Sequence, residues 1–194
     1  MSVSWTLLRH GETEGPQGFR GRLDPPLSAE GLAAMRAAVG GRNEWDFVVT
    51  SPMQRCVAFA REWAARHDRA MQIDHDIREL DFGDWEGRTA AELMVDQATA
   101  LGCFWQDPYS YTPPNGEPVA AFEKRVVATI ARLTRAHAGK RILLVTHGGV
   151  IRLLIARAKG MQRRDLLQVQ AGYAQWHGVI SEWQGGVLHL RAQD

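Results

Sequence analysis

Two short segments of this 194-residue sequence share one design, an apolar run followed by a histidine and then glycine. They are Leu7-Leu8-Arg9-His10-Gly11 and Leu144-Val145-Thr146-His147-Gly148-Gly149. A neutral imidazole is a nitrogen nucleophile, and an ordinary pKa of about 6.5 leaves it neutral for much of the time near pH 7. Guanidinium groups pair with phosphate through two parallel hydrogen bonds. Arg9, beside the first histidine, and Arg55, one turn into a helix that follows a strand end, are the candidates to supply them. A departing oxygen needs a proton, and a carboxyl near a cluster of anions can keep one to give. Glu79, just before a Gly-rich loop, fits that role, although Asp81, Asp84 and Glu86 satisfy the same spacing. Together these groups suit phosphoryl transfer to a histidine. A metal pair is the rival chemistry, but the carboxylate and third-ligand pattern it needs is missing from the sequence.

These residues must be delivered by strands and helices. Val3–Leu8, Asp46–Thr50 and Ile142–Val145 read as buried strands, with a shorter one at Met71–Asp74. Neighbouring parallel strands would bring both imidazoles to one edge of the sheet, and the glycine after each would let backbone N–H groups approach a bound anion. Ser28 is an expected N-cap for a helix running to Val39 and ending at Gly40-Gly41. Ser51 is expected to cap a second helix with Pro52 at its first position. Further helices are expected at Ala90–Ala100, Val119–His137 and Val150–Ala158. In the second of these, Val119, Phe122, Val126, Ile130 and Leu133 fall on one face. Glu79–Thr89 reads as loop, and Trp105–Pro118 as a proline-containing segment with an Asn115-Gly116 turn. Ala174–Glu182 and Val187–Arg191 flank Gln184-Gly185-Gly186 as a hairpin. Strands alternating with helices imply an α/β fold, a three-layer α/β/α sandwich on a mainly parallel sheet. The expected organisation is one domain over 1–194, with a helical side lobe inserted at about 89–135.

Hydrophobic residues make up 45% and charged residues 23%, which suits an ordinary globular chain. With Lys+Arg 23 against Asp+Glu 22 the net charge is +1, too little to steer the chain toward nucleic acid or an anionic membrane. Anion affinity must then come from a local arginine cluster. No apolar run approaches the ~20 residues that span a bilayer. The first residues lack the pattern of a signal peptide, so a cytoplasmic location is expected. Cys56 and Cys103 are expected as buried free thiols. Trp63, Trp105, Trp176 and Trp183 are expected in core or hairpin packing, with Trp105 and Tyr109 as alternative walls for a pocket that takes an aromatic base. His137 and His177 read as surface groups. The free edge of the hairpin makes a homodimer an expectation.

Arg9-His10-Gly11-Glu12-Thr13 resembles the signature of the histidine phosphatase superfamily, in its phosphoglycerate-mutase-like branch. The resemblance continues at Thr50–Arg55, at Arg78-Glu79-Leu80-Asp81-Phe82-Gly83-Asp84-Trp85-Glu86-Gly87 and at Thr146–Val150, in the family's order. It implies that His10 becomes a phosphohistidine, that Arg9, Arg55 and His147 hold the phosphoryl oxygens, and that Glu79 donates the proton. It also implies a small phosphorylated metabolite as partner, with no metal and no cofactor. Phe82–Gly87, Asn115-Gly116-Glu117 and Leu153–Arg157 look most like the subgroup of α-ribazole phosphatases, which act on a nucleotide-loop precursor of cobalamin. One departure stands out. The family commonly carries a phosphate-binding asparagine a few residues after the signature, where this chain has Pro16, and the loop Glu14–Arg22 is short. Arg20, Arg22 or a backbone N–H such as that of Gly148 would then share the phosphate. The alternatives are a mutase, for which the chain lacks the usual long insertions, and a non-catalytic phospho-ligand module, which the full set of reactive groups argues against.

Overall fold

The apolar runs form the middle of one six-stranded sheet. The computed structural model describes residues 1–193, with β1 at Ser2–Arg9, β2 at Phe47–Thr50, β3 at Met71–Ile73, β4 at Arg141–Thr146, β5 at Trp176–Gln184 and β6 at Val187–Gln193. Their order is β3-β2-β4-β1-β5-β6. The first four strands in the chain run parallel, while β5 and β6 are the expected hairpin, added antiparallel to β1. A parallel sheet is covered on both faces, so its strands are apolar throughout and alternate residues enter different cores. Val3, Trp5 and Leu7 of β1, Val49 of β2, and Ile142 and Leu144 of β4 join one core. Leu8, Val48, Leu143 and Val145 join the other.

Among the described residues six α-helices surround the sheet: α1 at Ala29–Val39, α2 at Gln54–Arg66, α3 at Ala90–Asp96, α4 at Ala98–Gln106, α5 at Val119–Ala136 and α6 at Gly148–Ala158. Met35 and Val39 of α1 and Cys56, Phe59 and Trp63 of α2 cover one face of the sheet. On the opposite face lie α6, through Val150, Ile151 and Leu154, and α5. All five residues predicted for the apolar face of α5 are buried in that core. Each such side chain contributes about 1.5–3 kcal/mol by leaving water. The result is a mixed α/β fold, a sheet between two helical layers. Among the described residues no helix is long and apolar enough to cross a membrane.

Several local expectations need correction. The 89–135 segment divides: α3 and α4 stand beside the sheet and send Leu93, Leu101 and Phe104 into the core, whereas α5 is a layer helix of the sandwich itself. Ser28 does cap α1, accepting the Gly31 N–H at 2.9 Å. Ser51 does not cap α2, which starts at Gln54 with Met53 before it; its hydroxyl meets the Met53 N–H at 3.4 Å and His147 Nε2 at 2.7 Å. A 3-10 helix at Arg163–Gln168 was not foreseen. Cys56 is buried, but Cys103 lies on the outer side of α4 and is exposed. Trp63 is buried as expected, whereas Trp105 and Trp176 are exposed, and the fully buried indoles are Trp5, Trp45 and Trp85. His137 and His177 are half-buried, His137 stacking on Phe47.

Candidate active site

The strand register sets the two histidines side by side. Arg9 pairs with Thr146 at the last step of β1 and β4, and the His10 N–H donates to Thr146 O at 3.0 Å. His10 and His147 each lie one residue beyond that pair, with ring centroids 5.2 Å apart. His10 Nδ1 lies 2.8 Å from Gly11 O. A carbonyl can only accept, so Nδ1 carries the proton and Nε2 keeps the lone pair. Burial, reinforced by the charge of Arg55 and opposed by the Gly11 bond, pulls the His10 pKa down to about 3. The imidazole is therefore neutral at pH 7. His147 is fully buried, with its pKa driven well below the ordinary value first by that burial and then by Arg55. Its Nε2 is 2.7 Å from Ser51 Oγ.

Gly11 also has a packing role. A Cβ there would lie 2.1 Å from Gly31 O, and one on Gly31 would lie 2.1 Å from Glu12 O. The pair lets the start of α1 press directly on the loop that leaves His10.

Two buried guanidinium groups flank the histidines. Arg55, with no exposed surface, donates to Leu23 O at 2.6 Å, Gly21 O at 3.1 Å and Arg20 O at 3.2 Å. Arg9 donates to Ala171 O at 2.6 Å and lies 4.0 Å from the ring centre of Tyr173, which in turn packs 5.6 Å from the His10 ring. In both arginines Nε is buried without a protein acceptor. An unmatched buried donor costs about 1–3 kcal/mol, more when charged, so each arginine holds a donor ready for an anion.

The four neighbouring carboxylates are now distinguishable. Glu79 accepts from Gly149 N–H at 3.0 Å and Leu80 N–H at 3.1 Å, which places it at the N-terminus of α6 next to His147. Glu86 accepts from the N–H groups of Gly21, Arg22, Leu23 and Phe82 at 2.8–3.1 Å and so clamps the loop that holds Arg55. Asp81 takes the Gly83 N–H at 2.9 Å, and Asp84 binds the Asn115 side chain at 3.0 Å. Glu79 alone of the four is tied to the histidine edge of the sheet.

Of the arginines proposed to compensate for Pro16, Arg20 stays near the site and Arg22 does not. Arg20 braces the loop through Thr13 Oγ1 and Pro16 O, and its charge helps to lower the His10 pKa. Arg22 is 73% exposed and pairs with Asp81 at 3.4 Å. Gly148 sits where the arginines converge, because the position of a Cβ there is 3.1 Å from Arg152 Nη1 and 3.3 Å from Arg9 Nε. Sequence reasoning missed Arg152, although its place one turn after Gly148 on α6 was a usable signal. It also missed Tyr173, which follows no motif. Trp105 lines an apolar cavity that includes Glu79 and Gly149. Tyr109 turns elsewhere and donates to Glu123 at 3.0 Å.

Comparison with known proteins places the whole chain in a family. The family model for the histidine phosphatase superfamily (branch 1) matches residues 5–193. The adenosylcobalamin/alpha-ribazole phosphatase of Escherichia coli (strain K12) is 32% identical over 178 residues, covering 89% of this chain and 87% of that protein. A glucosyl-3-phosphoglycerate phosphatase of Mycobacterium tuberculosis is 29% identical over 193 residues, covering 93% of this chain and 86% of that one. The crystal structure of the alpha-ribazole phosphatase from Shigella flexneri matches with a TM-score of 0.80 at 30% identity, over 97% of this chain and 95% of that chain. The chain belongs to the histidine phosphatase superfamily, branch 1, and is a phosphatase of that superfamily.

Proposed function

We propose that this phosphatase hydrolyses a small phosphorylated metabolite in two steps through His10. The observation that carries the reading is the tautomer of His10: Nδ1–H is spent on Gly11 O, so the lone pair is on Nε2. In the first step Nε2 attacks phosphorus, the ester bond breaks, and the departing oxygen takes a proton from the Glu79 carboxyl. In the second, a water gives a proton to the Glu79 carboxylate and attacks the phosphohistidine, which releases phosphate and restores His10. Arg9, Arg55 and His147 stabilise charge on the three phosphoryl oxygens, mostly by being fixed in place beforehand. The bond from Nδ1–H to Gly11 O grows stronger as the ring gains positive charge.

For the substrate we propose α-ribazole 5'-phosphate, supported by the relatives from Escherichia coli and Shigella flexneri. The mycobacterial relative bears a different substrate in its name, so glucosyl-3-phosphoglycerate belongs in the same panel. The test is acid quench of the enzyme with substrate, followed by detection of acid-labile phosphate on the protein. The wild type should form a phosphoenzyme, and His10→Ala should form none and lose about 10³-fold or more in kcat/KM. Normal turnover by His10→Ala would refute the mechanism. Heavy-oxygen label carried from water into the released phosphate separates hydrolysis from a mutase.

A further inference from the structure

Resting on that reading, we propose that Arg125 and Glu117 are positioning residues that hold Glu79 in place for proton transfer without touching the substrate. No strand or helix covers residues 78–82, so the ladder bonds that fix β1 and β4 are missing where the acid stands. Side chains hold this backbone instead. Arg125, on α5 and almost buried, donates from Nη1 to Asp76 O at 2.7 Å and Arg78 O at 2.8 Å. Its Nη2 donates to Glu79 O at 2.9 Å. Nε and Nη2 also donate to the two oxygens of Glu117, at 2.7 and 2.8 Å. A guanidinium has five N–H donors, and all five of Arg125 are committed. The remaining carbonyl of the run, Ile77 O, receives Thr146 Oγ1 at 2.9 Å. Thr146 precedes His147, so the carbonyls of residues 76–79 are tied to β4 on one side and to α5 on the other.

The effect on the acid passes through one peptide group. Glu79 O and the Leu80 N–H belong to the same planar unit. Arg125 holds its oxygen, and its N–H holds Glu79 Oε1 at 3.1 Å. Rotation of that plane would swing the carboxyl away from Gly149 and His147. Glu117 reaches Arg125 from the Asn115-Gly116-Glu117 turn, which rests on the acid's own loop. The Glu117 N–H donates to Asp81 O at 2.9 Å, and a Cβ on Gly116 would stand 2.8 Å from the same oxygen. Asn115, with φ 57°, donates to Asp84 at 3.0 Å. An ion pair that served stability alone would need only the two donors aimed at Glu117, whereas the other three aim at the backbone that carries the acid.

The test is a double-mutant cycle read with two esters. Ribose 5-phosphate has an alkoxide that leaves only with a proton, and p-nitrophenyl phosphate has a phenolate that leaves without one. Arg125→Lys keeps the charge, but a compact ammonium cannot bridge three carbonyls and a carboxylate at once. It should lower kcat/KM for ribose 5-phosphate about tenfold more than for p-nitrophenyl phosphate, part of the ~10²-fold that a misplacement of about 1 Å costs. Glu117→Gln keeps an acceptor but removes the charge of the pair, and should act in the same sense by about threefold. In a Glu79→Gln background, where no proton is donated, Arg125→Lys should affect both esters equally. Thermal melting checks the folded state, and Glu117→Gln decides the question if Arg125→Lys is unfolded. Equal losses for both esters in the single variants, or none, would overturn the positioning role and leave Glu79 as the acid. So would a selective loss that persists in the Glu79→Gln background. Full turnover of ribose 5-phosphate by Glu79→Gln alone would instead overturn the assignment of the acid, and the clamp's role with it.

Discussion

Gly149 is the position at which the proposed role of Glu79 can be tested most directly. A Cβ on residue 149 would lie 2.3 Å from Glu79 Oε1 and 3.1 Å from its Cδ. Ordinary carbon–oxygen contact needs about 1 Å more, so Gly149→Ala must push the carboxylate aside and weaken the 3.0 Å bond from the residue 149 N–H. A displacement of about 1 Å of a reacting group costs on the order of 10²-fold, within the 10²–10⁴-fold that general acid catalysis typically supplies. The expected result is a loss of about 10²-fold in kcat/KM for an alkyl phosphate, whose alkoxide cannot leave without a proton. For p-nitrophenyl phosphate the loss should stay below about tenfold, because a phenolate of low basicity leaves unprotonated. Since kcat/KM reports steps through the first irreversible one, later hydrolysis of the phosphoenzyme does not obscure the comparison. Alanine also favours helix over glycine by up to ~1 kcal/mol, which offsets part of the strain and keeps the melting temperature within a few degrees. Unchanged turnover of the alkyl ester would refute the assignment of Glu79. So would equal losses for both esters, because the whole pocket would then have moved.

Two further outcomes follow from the same geometry. The folded protein holds His10 down to about pKa 3 and His147 well below the ordinary value, so below about pH 6.5 the unfolded chain binds protons that the folded chain refuses. Stability must therefore fall as pH drops from about 6.5 toward 3, by up to about 1.4 kcal/mol per pH unit for each histidine, and it is complete above that window. Urea melts at pH 7.5, 6.0 and 5.0 measure this, and equal stability at pH 5.0 and 7.5 would contradict it. Arg22→Ala should leave kcat/KM within about twofold, since the pair with Asp81 is an exposed one of the kind that contributes little. A tenfold loss would return Arg22 to the phosphate.

The sequence made the sheet edge legible because chemistry and period coincided there. Apolar runs of strand length each ended in histidine and glycine, and parallel pairing of β1 with β4 followed from the α/β alternation. The face of α5 was legible for the same reason, a 3.6-residue period over five helical turns. Its place in the sandwich was not, because the prolines before it suggested a separate lobe, and periodicity does not say which surface a helix covers. Ser51 shows a second limit. Serine before proline is a strong local signal for a helix start, but the helix begins only at Gln54, and the Ser51 hydroxyl meets a fully buried imidazole 96 residues away that no local signal announces. Tyr173 lies in a segment without a signature and Arg152 just past one, and they reach the site through the return of the chain beside β1 and the first turn of α6.

The acid and the clamp show why composition could not separate Glu79 from Glu86. A carboxylate offers about four lone-pair directions. Glu86 accepts three N–H bonds on Oε1 and one on Oε2, all from backbone amides, which commits it to the loop. Glu79 accepts one N–H on each oxygen and keeps a lone-pair direction on both. The difference lies in which backbone returns to each residue, and spacing carries no record of that. The clamp in turn explains how Arg55 is held although Pro16 brings no side-chain donor to the loop. Glu86 fixes the amides of residues 21–23, and Gly21 O and Leu23 O from the same stretch receive the terminal nitrogens of Arg55. Those terminal nitrogens are spent on loop carbonyls, which leaves the buried Nε as the donor without a partner. The guanidinium that faces the histidines is thus positioned by a carboxylate 31 residues further along the chain, and the phosphate site depends on that carboxylate without its touching the substrate.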